Sequence, residues 1–169
     1  MEISYFEQLA DYNIWANDLM HSWFDQISED QWNQHISSSF NSIGLTAIHT
    51  VGAEKIWLER LEKVPTPVWI PNTFVGTKQE LIKEWKSASM GLKHFISNFD
   101  ETRLNEVLHF TRINGDKQSS KFYQIFAHVM NHSTYHRGQI VTMLRQVGFT
   151  DVASTDMVGY FRKINELQL

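Results

Sequence analysis

His128, His132 and His136 recur at four-residue spacing in the segment HVMNHSTYHRGQI, residues 128–140. On a helix, residues four apart lie on adjacent turns with Cβ atoms roughly 6 Å apart, so a neighbouring pair can converge on one cation. All three cannot do so from a straight helix, because the outer pair spans about 12 Å of rise. A third nitrogen donor therefore has to come from another element. His49, among Leu45, Gly52 and Ile56 in a second helical stretch, is the best placed, and Gly52 allows a neighbouring chain or ligand to come close. His21, His35, His94 and His109 fall on polar flanks or in loops and have weaker claims.

Helical geometry sorts the series further. With His132 at zero and about 100° per residue, Phe122, Ile125, Phe126, Val129, Ile140, Met143, Leu144 and Val147 fall between about +20° and +120°. His136, at about +40°, lies within that apolar face, His132 on its rim, and His128 at about −40° toward the polar side. Gln139 lies about 20° from His132 and reads as an outer-sphere, substrate-facing or packing group. Arg137, at about 140°, reads as a surface or interface residue. Glu54 is about 140° from His49 and belongs to another face, and most charged residues read as solvated surface. Spacing alone leaves surface, buried structural and metal-ligand readings of the histidines open.

Two reactions are excluded by what stands beside the histidines. A zinc peptidase of the HExxH kind needs a glutamate after its first histidine as general base, and here that position is Ser133. Ser133 as a nucleophile lacks the strand–turn–helix elbow that exposes one. No general acid or base stands out.

The positioning elements follow from periodicity and caps. Ser4 and Glu7 form a capping-box pattern before a helix running to about Phe24, and Ser28 with Gln31 repeats it before a short helix. The next helix spans roughly residues 41–62, capped by Ser39 or Asn41, and the three prolines mark residues 63–76 as a loop. Thr77 and Glu80 open a third long helix with Leu81, Trp85, Ala88, Leu92, Phe95 and Phe99 as its buried stripe. Val107–Ile113 followed by Asn114–Gly115 predicts a small hairpin. Ser119 or Ser120 caps the final long helix, which Gly148 closes, and a short helix begins at Thr155 or Asp156. The expected fold is all-α, a four-helix bundle with a small hairpin and a short C-terminal helix, in one domain over residues 1–169. Connectivity stays open.

The totals agree with that outline. A chain of 169 residues can bury roughly 70% of its unfolded surface without staples. With no cysteine there is no disulfide framework, thiolate metal site or cysteine nucleophile, a usage compatible with the cytoplasm. No signal peptide and no 18-residue apolar run is legible. The net charge of −4 and the scattered Lys and Arg supply no nucleic-acid footprint.

The segments YNIWAND, LTAIHTVGAEKIWLERL, HVMNHSTYHRGQIVTMLRQVG and STDMVGYF, spread over essentially the whole chain, resemble the anchor segments of the DinB family of DNA-damage-inducible proteins, within the DinB/YfiT-like superfamily of metalloenzymes. The resemblance implies a four-helix bundle, a homodimer, and a divalent ion held by His49, His132 and His136, with His128 outside the triad. Three imidazoles leave a coordination position open, as catalytic sites do, and zinc, nickel, iron or cobalt all accept this set. Some similar proteins are glutathione-, mycothiol- or bacillithiol-dependent transferases and isomerases. The resemblance therefore implies a metal-dependent thiol transferase acting on an electrophile in stress or detoxification. A metal-water hydrolase and a stress-associated metal-binding protein without turnover are the alternatives. The family name refers to induction after DNA damage, not to DNA chemistry.

Overall fold

The protein is described by a computed structural model covering residues 2–166. Four long helices, α1 (Ile3–Phe24), α3 (Ile43–Leu61), α4 (Lys78–Ser97) and α5 (Phe122–Gln146), make up its body. A short α2 (Glu29–Asn33) follows α1, and α6 (Met157–Glu166) closes the described chain. Strands β1 (Val107–Thr111) and β2 (Lys117–Lys121) form an antiparallel pair in which Val107 faces Lys121 and Thr111 faces Lys117. The molecule is mainly helical with one two-stranded sheet, as the periodicity predicts.

Helix direction follows from which residues share a layer. One apolar cluster joins Met20 and Phe24 of α1, Ile43 and Val51 of α3, Leu81 and Trp85 of α4, and Ile140 and Leu144 of α5. At the other end, Phe6, Leu61, Leu92, Ile96, Phe122 and Phe126 form a second cluster. Thus α1 and α5 run one way and α3 and α4 the other. Two parallel neighbours cannot be joined by a tight turn, so the chain between α3 and α4 must travel back along the bundle. Residues 62–77 do this, through a single 3-10 turn at Ile70–Asn72. Gly52 accommodates that return: a Cβ there would stand 2.5 Å from Pro71 Cδ.

The caps show where local sequence prevails and where tertiary contacts replace it. Thr77–Glu80 and Ser28–Gln31 form the expected capping boxes. At α1 the Ser4–Glu7 box does not form; Glu2 is the N-cap and the Ile3 N–H donates instead to Glu101 Oε2 at 2.9 Å. Ser42, not Ser39 or Asn41, caps α3, and Asn41 takes a positive φ of 60°. Ser119 and Ser120 are taken up by β2, so α5 starts after Lys121, whose N–H donates to Gln124 Oε1. The hairpin connection is five residues long, Arg112–Asp116, rather than a two-residue turn, with Gly115 at φ 90°. Gly148 ends α5 at φ 89°, as read from the sequence. Among the described residues, no helix is long and apolar enough to cross a membrane.

Candidate metal centre

Between the two apolar clusters lies a polar layer that sequence reasoning misplaced. Glu54 is fully buried, not solvated. Its Oε1 accepts from Asn13 Nδ2 at 3.0 Å, Asn17 Nδ2 at 3.2 Å, Trp85 Nε1 at 3.2 Å and Ser133 Oγ at 2.8 Å. Oε2 accepts from Ser89 Oγ at 2.5 Å. Arg137, expected at the surface, is 1% exposed; it donates to Asn13 Oδ1, to Asn17 Oδ1 at 2.9 Å and to Thr134 Oγ1 at 2.8 Å. The two asparagine amides link carboxylate to guanidinium, so each buried charge meets oriented dipoles and, through them, its counter-charge. Glu54 does face away from His49, as its position on the helix requires. That other face is the bundle interior. Ser133 is committed to this layer, which agrees with rejecting it as a nucleophile. His21, assigned to a polar flank, is also buried, edge-on to Trp85 at 5.2 Å.

The layer ties α3 to α5 just inside the histidines, and the histidines occupy the opposite side of the same two helices. His49 Nε2 stands 3.2 Å from His132 Nε2, and His136 Nε2 stands 3.1 Å from it. The donor atoms of all three lie within 4.8 Å of one another. His136 is buried while His49 and His132 are half-buried, so the cluster lies at the edge of the bundle rather than in its centre. Phe40 stacks on the His49 ring at 4.1 Å and Trp69 meets it edge-on at 5.5 Å, which limits how either ring can turn.

The donor chemistry fits a cation. Burial, then the neighbouring His136, lowers the His49 pKa to about 4. Burial, then His136, His49 and His128, lowers that of His132 to about 3. His136 is also lowered by burial, against a hydrogen bond to Gln139 that raises it. The imidazoles are therefore neutral at pH 7, the form that binds metal. The Gln139 amide oxygen lies 2.8 Å from His136 Nδ1 and can only accept, so the proton is on Nδ1 and the Nε2 lone pair faces the cluster. Three Nε2 atoms so close cannot all satisfy one another. Tetrahedral nitrogens at bond lengths of about 2.0–2.1 Å would be about 3.3 Å apart, close to the spacing of the two contacts above. This group of three histidines could hold a metal ion.

A cleft of about 660 Å³ opens onto His49 and His132. Trp57, Trp69 and Phe110 provide apolar wall, and Arg60 and Arg112 line its far part. His128 joins this wall, its ring 5.7 Å from that of His132 and 5.6 Å from Trp57. The wheel placed His128 outside the triad without showing that it faces the same cleft. His35, His94 and His109 are not brought to the cluster. The hairpin residues in the cleft had no sequence signal, because they meet α3 only through the fold.

Comparison with known proteins agrees with this architecture. The DinB family profile matches residues 1–165. The chain is 26% identical to Protein DinB of Bacillus subtilis (strain 168) over 154 residues, covering 88% of this chain and 89% of that protein. Its fold is similar to that of a DinB-like protein from Bacillus cereus ATCC 10987, with a TM-score of 0.71 at 18% identity, covering 90% and 97% of the two chains. With the family profile spanning nearly the whole sequence, the chain belongs to the DinB family.

Proposed function

We propose that His49, His132 and His136 hold one divalent ion and that the adjoining cleft brings a small thiol and an electrophile to it, making the protein a metal-dependent thiol transferase. The observation that supports this reading is the open side of the histidine cluster: the three nitrogens converge, and a cleft of about 660 Å³ reaches two of the three rings. A purely structural ion would be closed off by a fourth protein ligand. When bound, the ion supplies Lewis acidity, which lowers the pKa of a thiol or water placed against it.

The chain's own residues do the rest. Gln139 fixes the tautomer of His136, and Phe40 and Trp69 hold the His49 ring. His128, whose pKa burial lowers, is a neutral imidazole in the cleft able to take the thiol proton. Sulfur then bonds to the electrophilic carbon, and the leaving group departs with the electron pair of the bond that breaks. Hydrolysis by water at the same site is the runner-up reaction. A metal-binding protein without turnover is the other alternative.

Elemental analysis tests the ion. About one divalent ion per chain is expected, and unchanged content in His132→Ala defeats the assignment. Screening the metal-loaded protein against cellular thiols and electrophiles tests the reaction. Absence of thiol consumption with every electrophile, in protein that retains its metal, leaves the reading without turnover. The homodimer implied by the resemblance is checked by light scattering, where a monomer mass across the micromolar range rejects it.

A further inference from the structure

The cleft carries charge at the end away from the histidines. On α3, His49, Ala53, Ile56, Trp57 and Arg60 all line it. At about 100° per residue they fall within a stripe about 100° wide, and Arg60 returns to within about 20° of His49 after three turns. Eleven residues of rise separate these two Cα atoms by about 16 Å. One helix face therefore presents the metal cluster at one end, apolar surface in the middle and a guanidinium at the other.

That guanidinium is held stiffly and left largely unused. Its carbon lies 4.8 Å from the Trp57 ring centroid and 5.0 Å from that of Phe110, and Nη2 donates to the Thr111 carbonyl at 3.1 Å. Nε is buried and, among the described residues, has no hydrogen-bond partner. Arg112, next along the hairpin, lines the same cleft and is exposed. Burial, then the Arg112 charge, lowers the Arg60 pKa. Elsewhere cations meet carboxylates, as in Lys93 with Asp11 and Arg103 with Glu106, but among the described residues neither Arg60 nor Arg112 is in a salt bridge. Two like charges lining one half-apolar cleft, neither paired with a carboxylate among the described residues, are complementary to an oxyanion.

We propose that the cleft takes an elongated small organic anion, apolar along its length, with a carboxylate or phosphate held by Arg60 and Arg112 and the opposite end at the histidine cluster. This rests on the cleft being the substrate site of the function proposed above and adds the chemical class of what enters it. Arg60 and Arg112 are then specificity-determining residues.

Isothermal titration calorimetry of the full chain, metal-free and metal-loaded, with octanoate, octyl phosphate, octanol and 8-mercaptooctanoate tests the proposal. At least one of the two anions should bind the metal-free protein roughly tenfold tighter than octanol, as one charge-assisted contact allows, and which one does so identifies the head group. Arg112→Gln, on an exposed turn, should remove most of that preference with no change in Tm. Arg60→Met, checked for a native circular dichroism spectrum, should remove more. Equal affinity for anions and alcohol, or an unchanged preference in the folded double variant, overturns the inference. The metal reading fails separately, if 8-mercaptooctanoate binds metal-loaded and metal-free protein alike while the anion preference persists.

Discussion

Helices α3 and α5 build two polar regions back to back, and these solve the problem of buried polarity in opposite ways. Around Glu54 of α3, five donors from the other three long helices converge on one carboxylate and two asparagines carry the link to Arg137. Around His132, three imidazole nitrogens face one another at the edge of a cleft. The first region is closed within the chain, with Arg137 Nε as its one side-chain atom buried without a partner among the described residues. The second leaves its three nitrogens open toward a cleft, as a group that could hold a metal ion. Ser133 belongs to the first and His132 to the second, although they are adjacent in sequence, because one step on a helix turns the side chain by about 100°. A closed polar layer thus acts as the rigid backing for an open one.

Four measurements break or sharpen that contrast. The largest effect is expected from Glu54→Ala, which leaves the Asn13 and Asn17 amides, Trp85, Ser89 and Ser133 without their acceptor and Arg137 without its counter-charge, and should cost about 3–5 kcal/mol of stability. Urea unfolding of the metal-free protein measures this, and a loss under about 1 kcal/mol would mean that the layer is not the closed network its hydrogen bonds imply.

A second test uses His21, in the sealed part of the molecule. Burial, opposed by the Asp18 carboxylate, lowers its pKa from 6.5 to about 4. Above pH 6.5 both folded and unfolded forms are neutral there and contribute nothing. Between pH 6.5 and 4 only the unfolded chain takes the proton, so stability falls as pH falls, by about 3 kcal/mol in all, and levels off below 4. His21→Phe should remove that component from the pH profile of the metal-free protein. Profiles that superimpose would show that His21 does not carry it.

At the open region the same kind of change should spare the fold. His132→Ala is expected to weaken metal binding roughly hundredfold or more, about 2.7 kcal/mol, with metal-free stability altered by under about 1 kcal/mol. A large loss of metal-free stability would make the cluster structural. The smallest effect belongs to Gln139→Ala, which frees the His136 tautomer and should weaken metal binding about tenfold. Equal affinity in a competition titration against a chromogenic chelator would remove Gln139 from the outer sphere.

The contrast also marks what could be read from residues in order. Capping boxes at Ser28 and Thr77 were legible because their partners are three residues away. His132 and His136 were legible as a pair for the same local reason. The start of α1 was misread because its donor is satisfied by Glu101, across the fold. Glu54 and Arg137 were misread because solitary charges are normally solvated, and only the meeting of four helices shows that their partners are already in place.

The amino-acid order by itself determined the helices, most of their ends, and that two imidazoles share one helical face, since each depends on interactions within a few residues. Tertiary structure alone decided helix direction, the approach of His49 to that pair, the sealing of Glu54 with Arg137, and the delivery of Phe110 and Arg112 to the cleft wall. These pairings join residues tens of positions apart, and no short-range preference selects among them. The packing of the whole chain does.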